Sequence, residues 1–133
     1  MKKVGGTMTR NVKTIASGDT IEAAAETMKK NRIGCLVVVD KDKPIGIITE
    51  RDIAYKLVAK GKGGDTKVKK VMSKNLKTVK EDKSLTDAAK LMVAHVIRRL
   101  PVVKDGKLVG IITIDDIMKS EKIGEDSGAY SYT

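Results

Sequence analysis

The chain repeats itself. Displaced by 64 positions, its two halves align without a gap. Met8-Thr-Arg-Asn-Val-Lys-Thr14 lies over Met72-Ser-Lys-Asn-Leu-Lys-Thr78, Ala24-Ala25 over Ala88-Ala89, and Met28 over Met92. Val38-Val39 lies over Val102-Val103, Gly46-Ile-Ile-Thr49 over Gly110-Ile-Ile-Thr113, and Asp52-Ile53 over Asp116-Ile117. A repeat this long fixes the architecture before any single element is read, because whatever one copy folds into the other must fold into as well.

Each copy reads as β-α-β-β-α. Val12 to Ile15 and Leu76 to Val79 are short extended segments. In the first copy Asp19 is the expected N-cap, with Glu22 three residues on, and Ile21, Ala24, Ala25 and Met28 form the buried stripe of a helix. In the second copy Ser84 caps, with Asp87 three residues on, and Leu85, Ala88, Ala89 and Met92 form the stripe. A hairpin follows in each. Leu36 to Val39 and Pro44 to Ile48 flank the turn Asp40 to Lys43, while Leu100 to Val103 and Lys107 to Ile112 flank Asp105-Gly106. Second helices start at Glu50 and Ile114, the first ending near Gly61. The fold class is therefore α/β (α+β), with repeat 1 spanning 1–62, repeat 2 spanning 63–123 and a C-terminal tail, 124–133, that lacks periodicity. One such unit exposes a face that it cannot bury alone, so the copies are expected to pack sheet to sheet about a pseudo-twofold axis.

Composition narrows the function classes. No run approaches ~18 consecutive apolar residues, so no membrane-spanning helix is expected. The start has no apolar segment of the kind that directs export, and the single Cys35 can form no internal disulfide, which together point to the cytoplasm. Cys35 sits in an apolar run and reads as a buried, inert thiol. The formal charge of +10 is compatible with nucleic acid or small anions, but the lysines are dispersed. With no Trp or Phe for base stacking and no helix-turn-helix or zinc-finger pattern, nucleic-acid binding is not favoured. One His (His95, at a helix end) and one Cys cannot build a zinc site or a nucleophile–base pair, so no metal and no catalytic residues are assigned.

The motifs Met-Thr-Arg-Asn-Val, Arg32-Ile-Gly-Cys-Leu-Val-Val-Val-Asp40, Ile97-Arg-Arg-Leu-Pro-Val-Val103, Gly46-Ile-Ile-Thr-Glu-Arg-Asp52 and Gly110-Ile-Ile-Thr-Ile-Asp-Asp116 together resemble the CBS-domain family as a tandem pair, the Bateman module. The resemblance covers residues 5 to 121, and no catalytic domain is seen beside it. It implies a regulatory sensor, not an enzyme and without a cofactor, that takes an adenine nucleotide or other adenosyl ligand (AMP, ADP, ATP, S-adenosylmethionine or a dinucleotide) in clefts between the repeats. It also implies a homodimer and a protein target whose identity the sequence does not give. The alternatives are a basic nucleic-acid-binding module, or a protein-interaction module with no nucleotide ligand.

The family's Gly-x-x-Thr-x-x-Asp pattern implies that Thr49 and Asp52, and Thr113 and Asp116, bind ribose. The same residues read independently as helix capping boxes, and both roles are compatible with one geometry. Arg98 and Arg99, just before the Leu-Pro-Val strand, stand at the family's phosphate positions; the aligned residues of copy one are Gly34 and Cys35, which makes the two sites unequal. Arg51, on the first turn of a helix, is a further phosphate candidate. Thr14, Ile15, Gly34, Thr78, Val79 and Pro101 are the implied adenine-pocket residues.

Overall fold

The computed structural model describes residues 2–121; the tail assigned to 124–133 lies outside them. Repeat 1 contributes β1 (Thr14–Ala16), α1 (Ile21–Asn31), β2 (Cys35–Asp40), β3 (Lys43–Thr49) and α2 (Glu50–Asp52), which continues as a π turn (Ile53–Leu57) and a 3-10 turn (Val58–Lys60). Repeat 2 contributes β4 (Val79–Lys80), α3 (Leu85–His95), β5 (Arg99–Lys104), β6 (Lys107–Thr113) and α4 (Ile114–Ser120). Each set forms a mixed three-stranded sheet in sequence order, with β1 parallel to β2 and β4 to β5, and each hairpin antiparallel. Both sheets carry a bulge at the same place, Val38/Val39 and Val102/Val103.

Two-residue turns close both hairpins with positive φ at both positions, Lys41 and Asp42 in one and Asp105 and Gly106 in the other. This conformation matches the right-handed twist of the flanking strands. Helix α1 starts one residue later than its sequence indicates. Thr20, which aligns with Ser84, accepts from Ala23 N at 3.1 Å, whereas Asp19 is spent on Ala16 N in the preceding turn. Ser84 caps α3 as expected, accepting from Asp87 N at 3.0 Å. The stripe of α1 is also narrower than expected: Ile21, Ala24 and Met28 are buried, but Ala25 is exposed. Cys35, placed in the buried run by its sequence, is only half-buried because it begins β2 at the sheet margin, opposite Thr49.

The compact units in space are not the repeats in sequence. One comprises Val12–Leu76; the other joins Met1–Asn11 to the segment from Lys77 onward. The leg that precedes each repeat packs on the body of the other. In the first unit, Val68 and Val71 of the inter-repeat leg join Ile15, Ile21, Met28, Leu36, Val38 and Ile48 in the core. In the second, Val4 and Met8 of the N-terminal leg join Val79, Leu85, Met92, Leu100, Val102 and Ile112. Burying each leg side chain stabilises its unit by about 1.5–3 kcal/mol.

Backbone hydrogen bonds repeat the exchange. The first turns of α1 and α3 leave N–H groups without helical partners; the legs supply acceptors, with Ile21 N donating to Thr66 O at 2.8 Å and Leu85 N to Lys2 O at 3.1 Å. At the far edge of each sheet Ser73 pairs reciprocally with Ile47 (2.8 and 3.1 Å), and Thr9 with Ile111 (2.9 Å both ways). So close an approach needs glycine on the strand. A β-carbon at Gly46 would lie 2.8 Å from both Met72 Sδ and Ser73 O; one at Gly110 would lie 2.5 Å from Met8 Sδ and 2.9 Å from Thr9 O.

Gly110→Ala is therefore expected to destabilise the protein by about 1–3 kcal/mol through overpacking of the leg, measured as a lowered urea midpoint. Val96 offers the opposite test. It ends α3 at φ 54°, a left-handed conformation that crowds a β-branched side chain, and its side chain is 90% exposed. Val96→Gly is expected to raise stability by about 1 kcal/mol, read by the same denaturation curve.

Candidate functional site

The polar residues that stand out in each unit sit where the last strand of the hairpin turns into a helix. Thr49 and Thr113 hold extended backbone (φ −120° and −118°), and the residues after them enter helices. Each threonine hydroxyl accepts from the amide three residues on, Asp52 N at 3.0 Å and Asp116 N at 3.1 Å. Each aspartate returns the bond, Oδ2 accepting from Thr49 N at 3.0 Å or Thr113 N at 2.9 Å. These are complete capping boxes, and they fix the carboxylates at helix N-termini, where negative charge is favoured.

Beyond the box the two aspartates differ. Asp52 is buried. Its Oδ1 takes a 3.0 Å ion pair from Lys56 Nζ, and Ser73 Oγ approaches both carboxylate oxygens, at 3.3 and 3.4 Å. Lys56 Nζ also lies 3.3 Å from Ser73 Oγ, closing a three-member cluster. Asp116 is half-buried, and among the described residues no side chain donates to it. The aligned partners explain the contrast. Ser120 stands where Lys56 does and bonds Thr7 instead, with 3.4 Å between hydroxyls; Thr9 stands where Ser73 does, and among the described residues its hydroxyl makes no hydrogen bond to Asp116. A carboxylate offers about four acceptor positions. Asp116 uses one of them, leaving Oδ1 open to a diol; Asp52 is largely satisfied by its own chain.

The other expected site residues are scattered more widely. Arg98 lies in the bend before β5 and Arg99 begins that strand; both are exposed, and neither forms an ion pair among the described residues. Arg51 is exposed on the first turn of α2 with its guanidinium 5.9 Å from the centre of the Tyr55 ring. Thr14 is exposed at the start of β1, and Thr78 is half-buried just before β4. Ile15 and Val79 bury their side chains in the two cores, which leaves only their backbone to meet a ligand. Pro101 is buried in β5 opposite Ile111. Gly34 accepts from Glu50 N at 3.0 Å and lines a recess of about 420 Å³ between α1 and α2, with Met28, Lys29, Arg32 and Glu50. A second recess, about 600 Å³ and mostly apolar, lies between α3 and α4 against Leu85, Ala89, Val93 and Ile117. Neither recess reaches Asp52 or Asp116. His95 ends α3 exposed, as its sequence position implied.

Lys56 and Ser73 were not among the residues singled out from the sequence. The i, i+4 spacing of Asp52 and Lys56 on a helix was a readable signal; the approach of Ser73 depends on the leg and was not.

Residues 2–59 and 68–122 each match the CBS domain. The chain belongs to the CBS-domain family. It is 40% identical over 129 residues to the CBS domain-containing protein YhcV of Bacillus subtilis, across 97% of this chain and 92% of that one. Among solved structures it is similar to a putative signal-transduction protein with CBS domains from Burkholderia ambifaria (36% identity, TM-score 0.76, 88% of this chain and 87% of that one). It is also similar to the CBS domain pair of protein MJ0100 in complex with 5′-methylthioadenosine and S-adenosyl-L-methionine (31% identity, TM-score 0.78, 92% and 97%). The two sheets and the paired capping boxes are thus a tandem CBS pair, and CBS pairs are regulatory ligand-binding modules.

The unequal settings of the two aspartates give a stability test. Asp52→Ala removes the returning half of a capping box and leaves Lys56 and Ser73 without their acceptor, whereas Asp116→Ala removes the returning half alone. The returning hydrogen bond is worth about 0.5–1.5 kcal/mol in either box, and the part-exposed Lys56 ion pair adds at most about 1 kcal/mol. Asp52→Ala is expected to lower the thermal midpoint more than Asp116→Ala; equal losses would contradict the geometry described.

Proposed function

We propose that the chain is a regulatory sensor of adenosyl compounds, acting in the cytoplasm by ligand binding and not by catalysis. The observation that carries the reading is the Thr113–Asp116 box, which holds a carboxylate rigidly while leaving one oxygen open to hydroxyl donors. A vicinal diol such as ribose donates two hydroxyls to one carboxylate, and the preformed cap removes the cost of ordering the acceptor. The printed ligands of the MJ0100 pair, both adenosyl compounds, support the same class for a chain 31% identical to it. AMP, ADP, ATP, S-adenosylmethionine and a dinucleotide all present that ribose. Arg98 and Arg99, exposed and without ion-pair partners among the described residues, are the cations available to a phosphate, with Arg51 the third.

Binding would act by favouring one arrangement of the module over another, which a target protein reads. A homodimer belongs to the same reading: Val93, Val96 and Met118 form an exposed apolar surface on α3 and α4, of a kind that protein contacts cover.

Calorimetric titration with AMP, ATP, S-adenosylmethionine and NADH tests the proposal. At least one of these should bind, and Asp52→Ala or Asp116→Ala should weaken that binding about tenfold to a hundredfold, the worth of a hydrogen bond to a charged group. Absence of binding by all four at millimolar concentration would remove the sensor reading and favour a protein-interaction module.

A further inference from the structure

We infer that Lys56 and Ser73 form an internal latch on Asp52, so that Asp116 alone is ready to receive a ribose and the second motif opens only when the latch is released. The inference rests on the adenosyl reading above and goes beyond it, because it assigns the working site and the residues that make the other one differ.

Two motifs identical in sequence pattern and capping geometry differ in three particulars, two of them side chains outside the motif. Lys56 Nζ donates to Asp52 Oδ1 at 3.0 Å, whereas among the described residues the aligned Ser120 makes its side-chain hydrogen bond to Thr7 and none to Asp116. Ser73 Oγ lies within 3.4 Å of both oxygens of Asp52, where the aligned Thr9 makes no side-chain bond to Asp116. Asp52 is 6% exposed, whereas Asp116 is half-buried. A ribose arriving at Asp52 must displace an ammonium group and a hydroxyl before it can bond; at Asp116 it displaces solvent.

The positions of the latch groups fit that role. Ser73 is held by its backbone to Ile47, so its hydroxyl is anchored at the carboxylate. Lys56 lies within the π turn that begins one residue after Asp52, and its side chain is 44% exposed, so it can swing to solvent or to an arriving anion. Widened turns of this kind occur often at functional positions. In the other unit α4 runs as ordinary α-helix through the aligned residues.

Exchanging the residues at the two aligned positions tests the inference from both sides. The full chain is titrated calorimetrically with 5′-methylthioadenosine, a neutral adenosyl compound whose affinity contains no net attraction to Lys56. Wild type is expected to bind one equivalent. Lys56→Ser should reveal a second binding step, strengthened up to about fivefold over wild type as the ion pair is lost. Ser120→Lys, which places an ammonium at i+4 from Asp116, should weaken the first step by a similar factor. Both substitutions are at partly exposed positions, and circular dichroism checks that each variant is folded. Two equivalent sites in wild type, unchanged in Lys56→Ser, would overturn the latch while leaving the adenosyl reading intact. No binding of 5′-methylthioadenosine or of AMP in any of the three proteins would overturn both.

Discussion

The structure depends on the pairing of a short leg of backbone with the open edge of a three-stranded sheet. Ile47 with Ser73, and Ile111 with Thr9, exchange reciprocal hydrogen bonds, and these are possible only because Gly46 and Gly110 let a methionine and a carbonyl approach within 3 Å of where a side chain would begin. A unit of about 60 residues buries only a modest share of its surface on folding, which leaves it with little stability to spare. The leg supplies what is missing: valines and a methionine for the core, acceptors for the helix N-terminus, and a partner for an edge that would otherwise recruit other strands. Since each leg precedes the repeat it does not complete, neither sequence repeat is a self-sufficient folding unit.

The same pairing decides the chemistry at one of the two motifs. Holding residue 73 against β3 sets a serine hydroxyl beside both oxygens of Asp52, and the helix after that aspartate places Lys56 on Oδ1. At Asp116 the leg brings a threonine whose hydroxyl makes no hydrogen bond to the carboxylate among the described residues, and the helix brings a serine bonded to Thr7. Duplication produced two identical frames, and the side chains at two aligned positions outside the motif made them unequal. The inequality read from the sequence concerned Arg98 and Arg99 against Gly34 and Cys35, on the phosphate side. The structure adds a second difference, at the two aspartates.

Much of the fold was legible because its signals are local. The gapless repeat fixed the element order; Asp105-Gly106 marked a tight turn; Thr49 with Asp52 and Thr113 with Asp116 announced capping boxes that the backbone then formed. Where local signals competed, the reading slipped by one residue: Asp19 and Thr20 are both good caps, and the aspartate was consumed by the turn before the helix. Ala25 has the right spacing but lies at the margin of the stripe, where an alanine tolerates water. The legs were not legible at all. They carry no periodicity, their partners are distant in sequence, and glycine in a strand announces close approach without saying to what. Ser73, which acts through the leg, was hidden with it.

A crystal structure of the full chain grown with AMP would test the central claim most directly. Density for one nucleotide is expected, its ribose hydroxyls on the Asp116 carboxylate and its phosphate near Arg98 or Arg99, with Asp52 still bonded to Lys56 and Ser73. A ribose seated on Asp52 with Lys56 displaced, and Asp116 left to solvent, would contradict it.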